Sequence, residues 1–258
     1  MLNVECSAIT YIGLVRGNNE DNYYINGYYK EDSDIDTEGY TDVQPRDAYL
    51  YAVCDGMGGE NYGEIASMIA VGILEKYQST NINRTIDDYI FWANKLICDN
   101  IKKNRGTRSG TTLAILYIRD GIAISYNIGD SRVYFFRKKK LYLMSEDHTE
   151  AERMVKMGLL RQEEASRHKA RNKLTQHLGI FPEEMIIEPY MSEPVKLKKG
   201  DMLMVCSDGL TDMVSDDDIA DILAMKGYST TDLVKELAEE AQANGAKDNV
   251  TIILAKVV

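Results

Sequence analysis

The sequence predicts an α+β fold in which antiparallel strands are layered with helices, and three observations carry that prediction. Apolar stretches of strand length follow one another at 111–118, 122–128, 132–136 and 141–144. The connections Arg119-Asp-Gly121 and Arg137-Lys-Lys-Lys140 are of hairpin length, so the strands they join pair antiparallel. Helical periodicity is confined to separate blocks, which argues against a doubly wound parallel sheet. The chain has 258 residues, 44% of them hydrophobic, with no internal repeat and no Pro- or Ser-rich linker, so a single domain over 1–258 is expected.

The elements follow in order. Residues 4–12 read as a strand, as does Tyr23–Ile25, and the polar run Lys30–Gly39 reads as a solvated loop. Its Asp32, Asp34 and Asp36 have calcium-loop spacing. The sixth position, however, is Thr37 where the turn demands glycine, and the twelfth is Val43 where a bidentate Glu belongs. No calcium site is expected. Asp47–Cys54 is an apolar strand, and two helices come next. The segment 62–77 sets Ile65, Ile69, Ile73 and Tyr77 on one face, and 85–103 does so with Ile86, Ile90, Ala93 and Ile97. Asp87 and Asp88 suit a first turn of the latter. After the four strands, Arg137–Lys140 is expected to be a solvated tip, and 145–190 to be polar with short helices. Met202–Cys206 is a strand, Ser215 caps a helix with an acidic first turn, 229–244 is an amphipathic helix and 250–258 closes the chain as a strand.

A net charge of −11 argues against nucleic acid, which needs a positive footprint. Cys6, Cys54, Cys98 and Cys206 lie far apart within apolar stretches, so they read as buried small hydrophobes rather than a zinc or disulfide framework. The N-terminus has no basic segment leading into an apolar core, and no apolar run approaches the ~20 residues that span a bilayer. A cytoplasmic protein with no membrane partner is expected.

The chemistry is read from carboxylates at strand ends. Asp55-Gly56 follows one apolar strand, Gly129-Asp130 another and Ser207-Asp208-Gly209 a third. Asp248-Asn249 precedes the last strand, and Asn19-Glu20-Asp21-Asn22 separates the first two. Each alone reads as a turn or cap. Repeated at strand ends that converge, they would crowd together, and each like-charged pair at ~4 Å costs about 1 kcal/mol in water and ~4 at an effective dielectric of 20. Bound cations relieve such a cluster. Oxygen ligands suit hard ions such as Mg²⁺ or Mn²⁺, and His148, His168 and His177 show no zinc spacing. Two such ions form a device that activates water and clamps a phosphoryl group. Arg16, just before this acidic run, offers a fork matched to phosphate.

The motifs Arg16-Gly-Asn-Asn-Glu-Asp21, Asp55-Gly-Met-Gly-Gly59, Ser109-Gly-Thr-Thr112, Ile128-Gly-Asp-Ser-Arg132, Glu146-Asp-His-Thr149, Leu174-Thr-Gln-His-Leu-Gly179, Ser207-Asp-Gly-Leu210 and Asp248-Asn-Val-Thr251 occur in that order. Together the set resembles the metal-dependent protein phosphatases of the type 2C (PPM) class, in its compact bacterial branch. The resemblance implies a four-layer α-β-β-α sandwich, with two antiparallel sheets flanked by helices and the metals in a cleft at one end. It implies two divalent ions, Mn²⁺ or Mg²⁺. Asp55 would bridge them, Asp208 and Asp248 would complete one ligand set, and the Gly56 carbonyl would serve the other. Glu20 and Asp21 would act through metal-bound water, and Asp130 with Asp208 matches a third-metal site. Arg16 would hold the substrate phosphate, and Arg16, Asp55 and Asp208 would be the catalytic group. Residues 145–190 correspond to a flap beside the cleft, and Ser109–Thr112 to strand packing. The implied reaction is direct attack of a metal-bridging hydroxide on phosphoserine or phosphothreonine, without a phosphoenzyme. Phosphoproteins and a cognate Ser/Thr kinase are the implied partners of a monomer.

Three departures from the family pattern stand out. Met57 occupies the position where some members carry a histidine proposed as general acid. Glu60-Asn-Tyr-Gly-Glu64 replaces the usual His and Ala-Gly-Glu, and the link at 28–47 is longer than usual. A catalytically silent binding or sensing module is the rival from another class, and it predicts lost ligands. A phosphoesterase for small molecules or phosphotyrosine is a further alternative.

Overall fold

The structure, a computed structural model, describes residues 3–31, 37–58, 62–104, 107–165 and 167–258. The calcium-loop residues Asp32, Asp34 and Asp36, and Gly59–Asn61 of the altered motif, lie outside the described residues.

The central strands are buried on both faces, and their alternation separates the layers. Along Ala48–Cys54, Tyr51 and Val53 point to one core while Leu50, Ala52 and Cys54 point to another. Along Met202–Cys206, Leu203 and Val205 join the same core as Tyr51, and Met204 and Cys206 join a third. The shared core lies between two antiparallel sheets. One has six strands, in the order 140–143, 132–137, 202–206, 250–257, 4–11, 37–42. The other has seven, running 190–191, 122–128, 113–119, 48–54, 22–25, 28–29, with 195–196 also on 122–128.

Helices cover the outer faces. Gly63–Leu74 and Ile82–Lys103 bury Ala66, Ala70, Ile90 and Ile97 against Leu50, Ala52 and Ile115 of the seven-stranded sheet. Asp216–Leu223 and Thr230–Ala243 bury Ile219, Leu233 and Leu237 against Met204, Ile252 and Leu254 of the six-stranded sheet. Each fully buried aliphatic side chain contributes roughly 1.5–3 kcal/mol of transfer free energy. Four layers result, α-β-β-α, as the motif resemblance implies. All four cysteines are free and buried.

Several boundaries differ from expectation for local reasons. The second helix starts at Ile82, capped by the Asn81 side chain on the Asn83 N–H, so Asp87 and Asp88 fall beyond its first turn. The first helix ends at Leu74 and tightens into a 3₁₀ turn over Glu75–Tyr77. The strand read at 111–118 is two, Ser109–Thr111 and Leu113–Arg119, broken where Thr112 turns to bind Asp55. Part of the loop read at 30–39 is an edge strand, Thr37–Asp42, paired with Val4–Tyr11. Its sequence shows no apolar alternation because an edge strand can be held through its backbone. Ser215 caps its helix as read, and Ser229, read as the first residue of the next helix, is its cap, in a capping box with Asp232. Lys138 and Lys139 form the exposed hairpin tip with φ of 52° and 64°. Among the described residues, no helix is long and apolar enough to cross a membrane.

Candidate metal centre

Antiparallel register gathers the acidic loci at one end of the sandwich. In the six-stranded sheet Arg132 pairs with Cys206, Cys206 with Ile252, and Tyr11 with Val250. In the other sheet Asn22 pairs with Cys54 and Leu113 with Ile128. Asp55, Asp208, Asp248, Asp130 and the Glu20–Asp21 pair therefore all emerge at the same edge. The turn Gly129-Asp130-Ser131 carries the chain from one sheet to the other there. Arg16, Glu20, Asp55, Gly56, Asp130, Asp208 and Asp248 line one cleft. Asp21 sits behind it, 1% exposed.

Hydrogen bonds from neighbouring residues orient these groups. The Asp55 N–H donates to Thr112 Oγ1 at 2.9 Å, and the Asp55 carbonyl accepts from the Thr112 N–H and from Thr111 Oγ1 at the same distance. Thr112 Oγ1 and Ser131 Oγ lie 2.6 Å apart, which ties the Asp55 turn to the Asp130 turn. Asp21 Oδ2 accepts from Ser207 Oγ and Thr251 Oγ1, both at 2.7 Å. Asn249 accepts from the Glu20 N–H and donates to the carbonyls of Ile12 and Asn18, so it clamps the 12–20 loop to the last strand. Asp248 is engaged at both oxygens, by the Asn249 N–H at 2.9 Å and by Arg16 Nη2 at 2.5 Å.

Glycine is required where backbones touch. A Cβ on Gly56 would lie 2.4 Å from the Gly63 carbonyl oxygen and 2.5 Å from that of Glu20. A Cβ on Gly63 would lie 2.7 Å from the Glu20 carboxylate, so this residue leaves room for that group at the first residue of the Gly63–Leu74 helix. There the helix dipole favours negative charge. Glu20 nonetheless has its pKa raised, chiefly by burial.

Burial and mutual repulsion raise the other carboxyls as well. Asp55 is pushed well above the carboxylate range by burial and then by Asp21, Asp208, Asp130 and Asp248. Asp208 is raised by burial, then by Asp130, Asp212 and Asp248. Asp130 rises to about 7 through burial and Asp147. Asp21 rises to about 6 through burial, opposed by its bonds from Thr251 and Ser207.

Do these groups suit hard cations? Among the described residues no three His, Cys, Asp or Glu side chains already form a closed cage. The cleft is open, and its buried oxygens are under-satisfied. Asp21 Oδ1 and Asp208 Oδ1 are buried and have no hydrogen-bond partner. Orphaned carboxylate oxygens amid raised pKa values are what divalent cations stabilise. The donor set fits.

Asn172, Lys173, Leu174 and His177 complete the cleft wall. They fall within the segment 145–190 that the motif resemblance sets beside the cleft. This segment is fastened to the body by Arg171 and Asn172, both donating to Asp212 Oδ2 at 2.8 Å. Thr112 and Asn249 are the positioning residues that sequence reading passed over. Thr112 belongs to the motif Ser109–Thr112, whose resemblance implies strand packing, and Asn249 follows Asp248 directly, where an Asn reads as turn chemistry.

The protein phosphatase 2C family model matches residues 31–250. The protein phosphatase PhpP of Streptococcus pneumoniae is 33% identical over 261 residues, covering 98% of each chain. The S. agalactiae serine/threonine phosphatase structure superposes with a TM-score of 0.81 at 30% identity, over 99% of this chain and 100% of that one. The catalytic domain of the serine/threonine protein phosphatase PstP, solved with two manganese ions, gives a TM-score of 0.80 at 27% identity over 100% of both chains. The fold and its acidic cleft define a phosphatase of the metal-dependent type. The chain belongs to the protein phosphatase 2C family.

Proposed function

We propose that this cleft is the active site of a metal-dependent protein phosphatase that hydrolyses phosphoserine and phosphothreonine in proteins. The observation that carries the reading is the convergence of Asp55, Asp130, Asp208 and Asp248 with Arg16 in one cleft, with buried carboxylate oxygens left unpartnered. Two divalent ions, manganese or magnesium, are the cofactors. Asp55, Asp208, Asp248 and the Gly56 carbonyl are the groups that would hold them, with Glu20 and Asp21 contributing through water. Asp130 with Asp208 would take a third ion. Bound there, the ions supply Lewis acidity and lower the pKa of a nucleophilic water.

The chain's own residues do the rest. Arg16, half-exposed on the rim, presents guanidinium N–H groups to the phosphoryl oxygens. Thr112 fixes the Asp55 backbone from both its N–H and its C=O, and Asn249 fixes Glu20. The flap wall of Lys173, Leu174 and His177 narrows access to the cleft. None of Asp55, Asp208 and Asp248 is lost, which supports an enzyme over a silent binding module.

A cytoplasmic, monomeric enzyme of one domain that reverses a Ser/Thr kinase in the same cell fits this reading. Its test is hydrolysis of a phosphothreonine peptide, a phosphotyrosine peptide and p-nitrophenyl phosphate, each with Mn²⁺ and with EDTA. Mn²⁺-dependent turnover favouring phosphothreonine, abolished in Asp208→Ala, is expected. Activity indifferent to EDTA and to Asp208→Ala would refute the metal mechanism.

A further inference from the structure

The catalytic cleft continues past Met57. Met57, Gly58 and His177 line it on one side and line a second, smaller cavity on the other. That cavity has a volume of ≈160 Å³, and Ile180 and Phe181 line it. Ser109 also lines it, from the strand Ser109–Thr111 that pairs with Gly56–Gly58 in the register Met57↔Gly110 and Gly58↔Ser109.

The walls are held. Phe181 packs against the helix-side core, and Lys102 Nζ lies 5.2 Å from its ring centroid. His177 Nδ1 is 2.9 Å from the Leu178 carbonyl oxygen and sits so close to Gly110 that a Cβ there would meet it at 2.5 Å. At the mouth Arg108 pairs with Glu184 at 2.6 Å, so the two charges offset one another. An apolar cavity of roughly 150 Å³ takes up a molecule the size of benzene. This one therefore accommodates a single apolar side chain such as Leu, Met or Phe.

Position follows from strand geometry. From Gly56, at the metal-ligand turn, to Gly58, at the cavity, is two residues of extended strand, about 6.6 Å at ~3.3 Å per residue. A substrate lying extended along the same direction, its phosphorylated residue at Asp55 and Gly56, brings the residue two places away over the cavity. Strand alternation returns that side chain to the same face as the phosphorylated one.

We propose that this cavity is a specificity subsite for an apolar side chain two residues from the phosphoserine or phosphothreonine of the substrate protein. The proposal rests on the phosphatase reading above and names the substrate class of the same site. Met57 then serves as the apolar partition between catalytic cleft and subsite.

The test uses phosphothreonine peptides carrying Leu, Ala or Asp two residues before or after the phosphothreonine, with p-nitrophenyl phosphate in parallel and Mn²⁺ throughout. Wild type, Phe181→Ala and Phe181→Leu are compared. On one of the two sides, Leu should raise kcat/KM about tenfold over Ala, the scale on which apolar pockets discriminate, with Asp the poorest. Phe181→Ala should reduce that preference to below threefold while Phe181→Leu retains it, and all three proteins should turn over p-nitrophenyl phosphate alike. Equal kcat/KM for every peptide, from wild type active on p-nitrophenyl phosphate, overturns the subsite and leaves the phosphatase reading intact. Absence of Mn²⁺-dependent turnover of any substrate overturns both.

Discussion

Arg16 Nη2 donates to Asp248 Oδ2 at 2.5 Å across 232 residues of sequence, joining the residue assigned to the substrate phosphate to one assigned to a metal. The pair is part-exposed, at 52% and 34%, so it is screened and exchangeable. Arg16 can thus release a carboxylate to take a phosphate without unfolding its loop.

Arg16→Ala should lower kcat/KM for p-nitrophenyl phosphate about 10- to 100-fold, the scale of one or two charge-assisted hydrogen bonds. Most of the loss should appear in KM. Arg16→Lys keeps the charge but loses the fork, and should recover only part of it. Steady-state kinetics with unchanged KM in both variants would contradict the assignment.

Asp208→Asn keeps the volume and removes a charge from the repelling cluster. Mn²⁺ affinity measured by calorimetry should fall, and turnover should fall at least a thousandfold. In EDTA the same variant should melt at a higher temperature than wild type, because burial and Asp130, Asp212 and Asp248 all disfavour the ionised group. Opposite effects on stability and activity separate a ligand from a structural carboxylate.

Stability should depend on pH with a sign that metal reverses. Asp21 and Asp130 are raised in the folded state from 3.8 to about 6 and about 7. Raised carboxyls favour the protonated folded form, so the stability they contribute is full below pH 3.8 and is lost as the pH rises through about 6 to 7. In EDTA the melting temperature should therefore fall between pH 5 and pH 8, and Asp130→Asn should flatten the trend. With Mn²⁺ present it should rise over that window, since ligands bind metal when ionised.

Thr112→Val preserves shape but strands the Asp55 N–H and the Ser131 hydroxyl in a buried place. An unsatisfied buried donor costs about 1–3 kcal/mol. Thermal unfolding should show that loss. In kinetics, kcat should drop more than KM rises, because Thr112 positions Asp55 and need not touch the phosphate.

Much of the layered fold could be read locally. The apolar runs 48–54 and 202–206, the hairpin connections and the cap Ser215 are all written within a few residues, where burial, turn and capping physics act. The edge strand Thr37–Asp42 escaped because its pairing to Val4–Tyr11 is carried by the backbone, which every residue shares. The helix start at Ile82 escaped for a similar reason. Asn81 is an ordinary loop residue until its side chain caps the chain that follows.

By itself the sequence determined that carboxylates stand at the ends of apolar strands, that an arginine precedes the first of them, and that their order matches a known set of motifs. Only the tertiary structure decided that both sheets deliver these groups to one edge, that Thr112 and Asn249 hold them there, and that Met57 and His177 divide the cleft from a side cavity. Residue types and spacing are local properties. Convergence is a consequence of register between strands far apart in the chain, and it exists only once the sheets have paired and stacked.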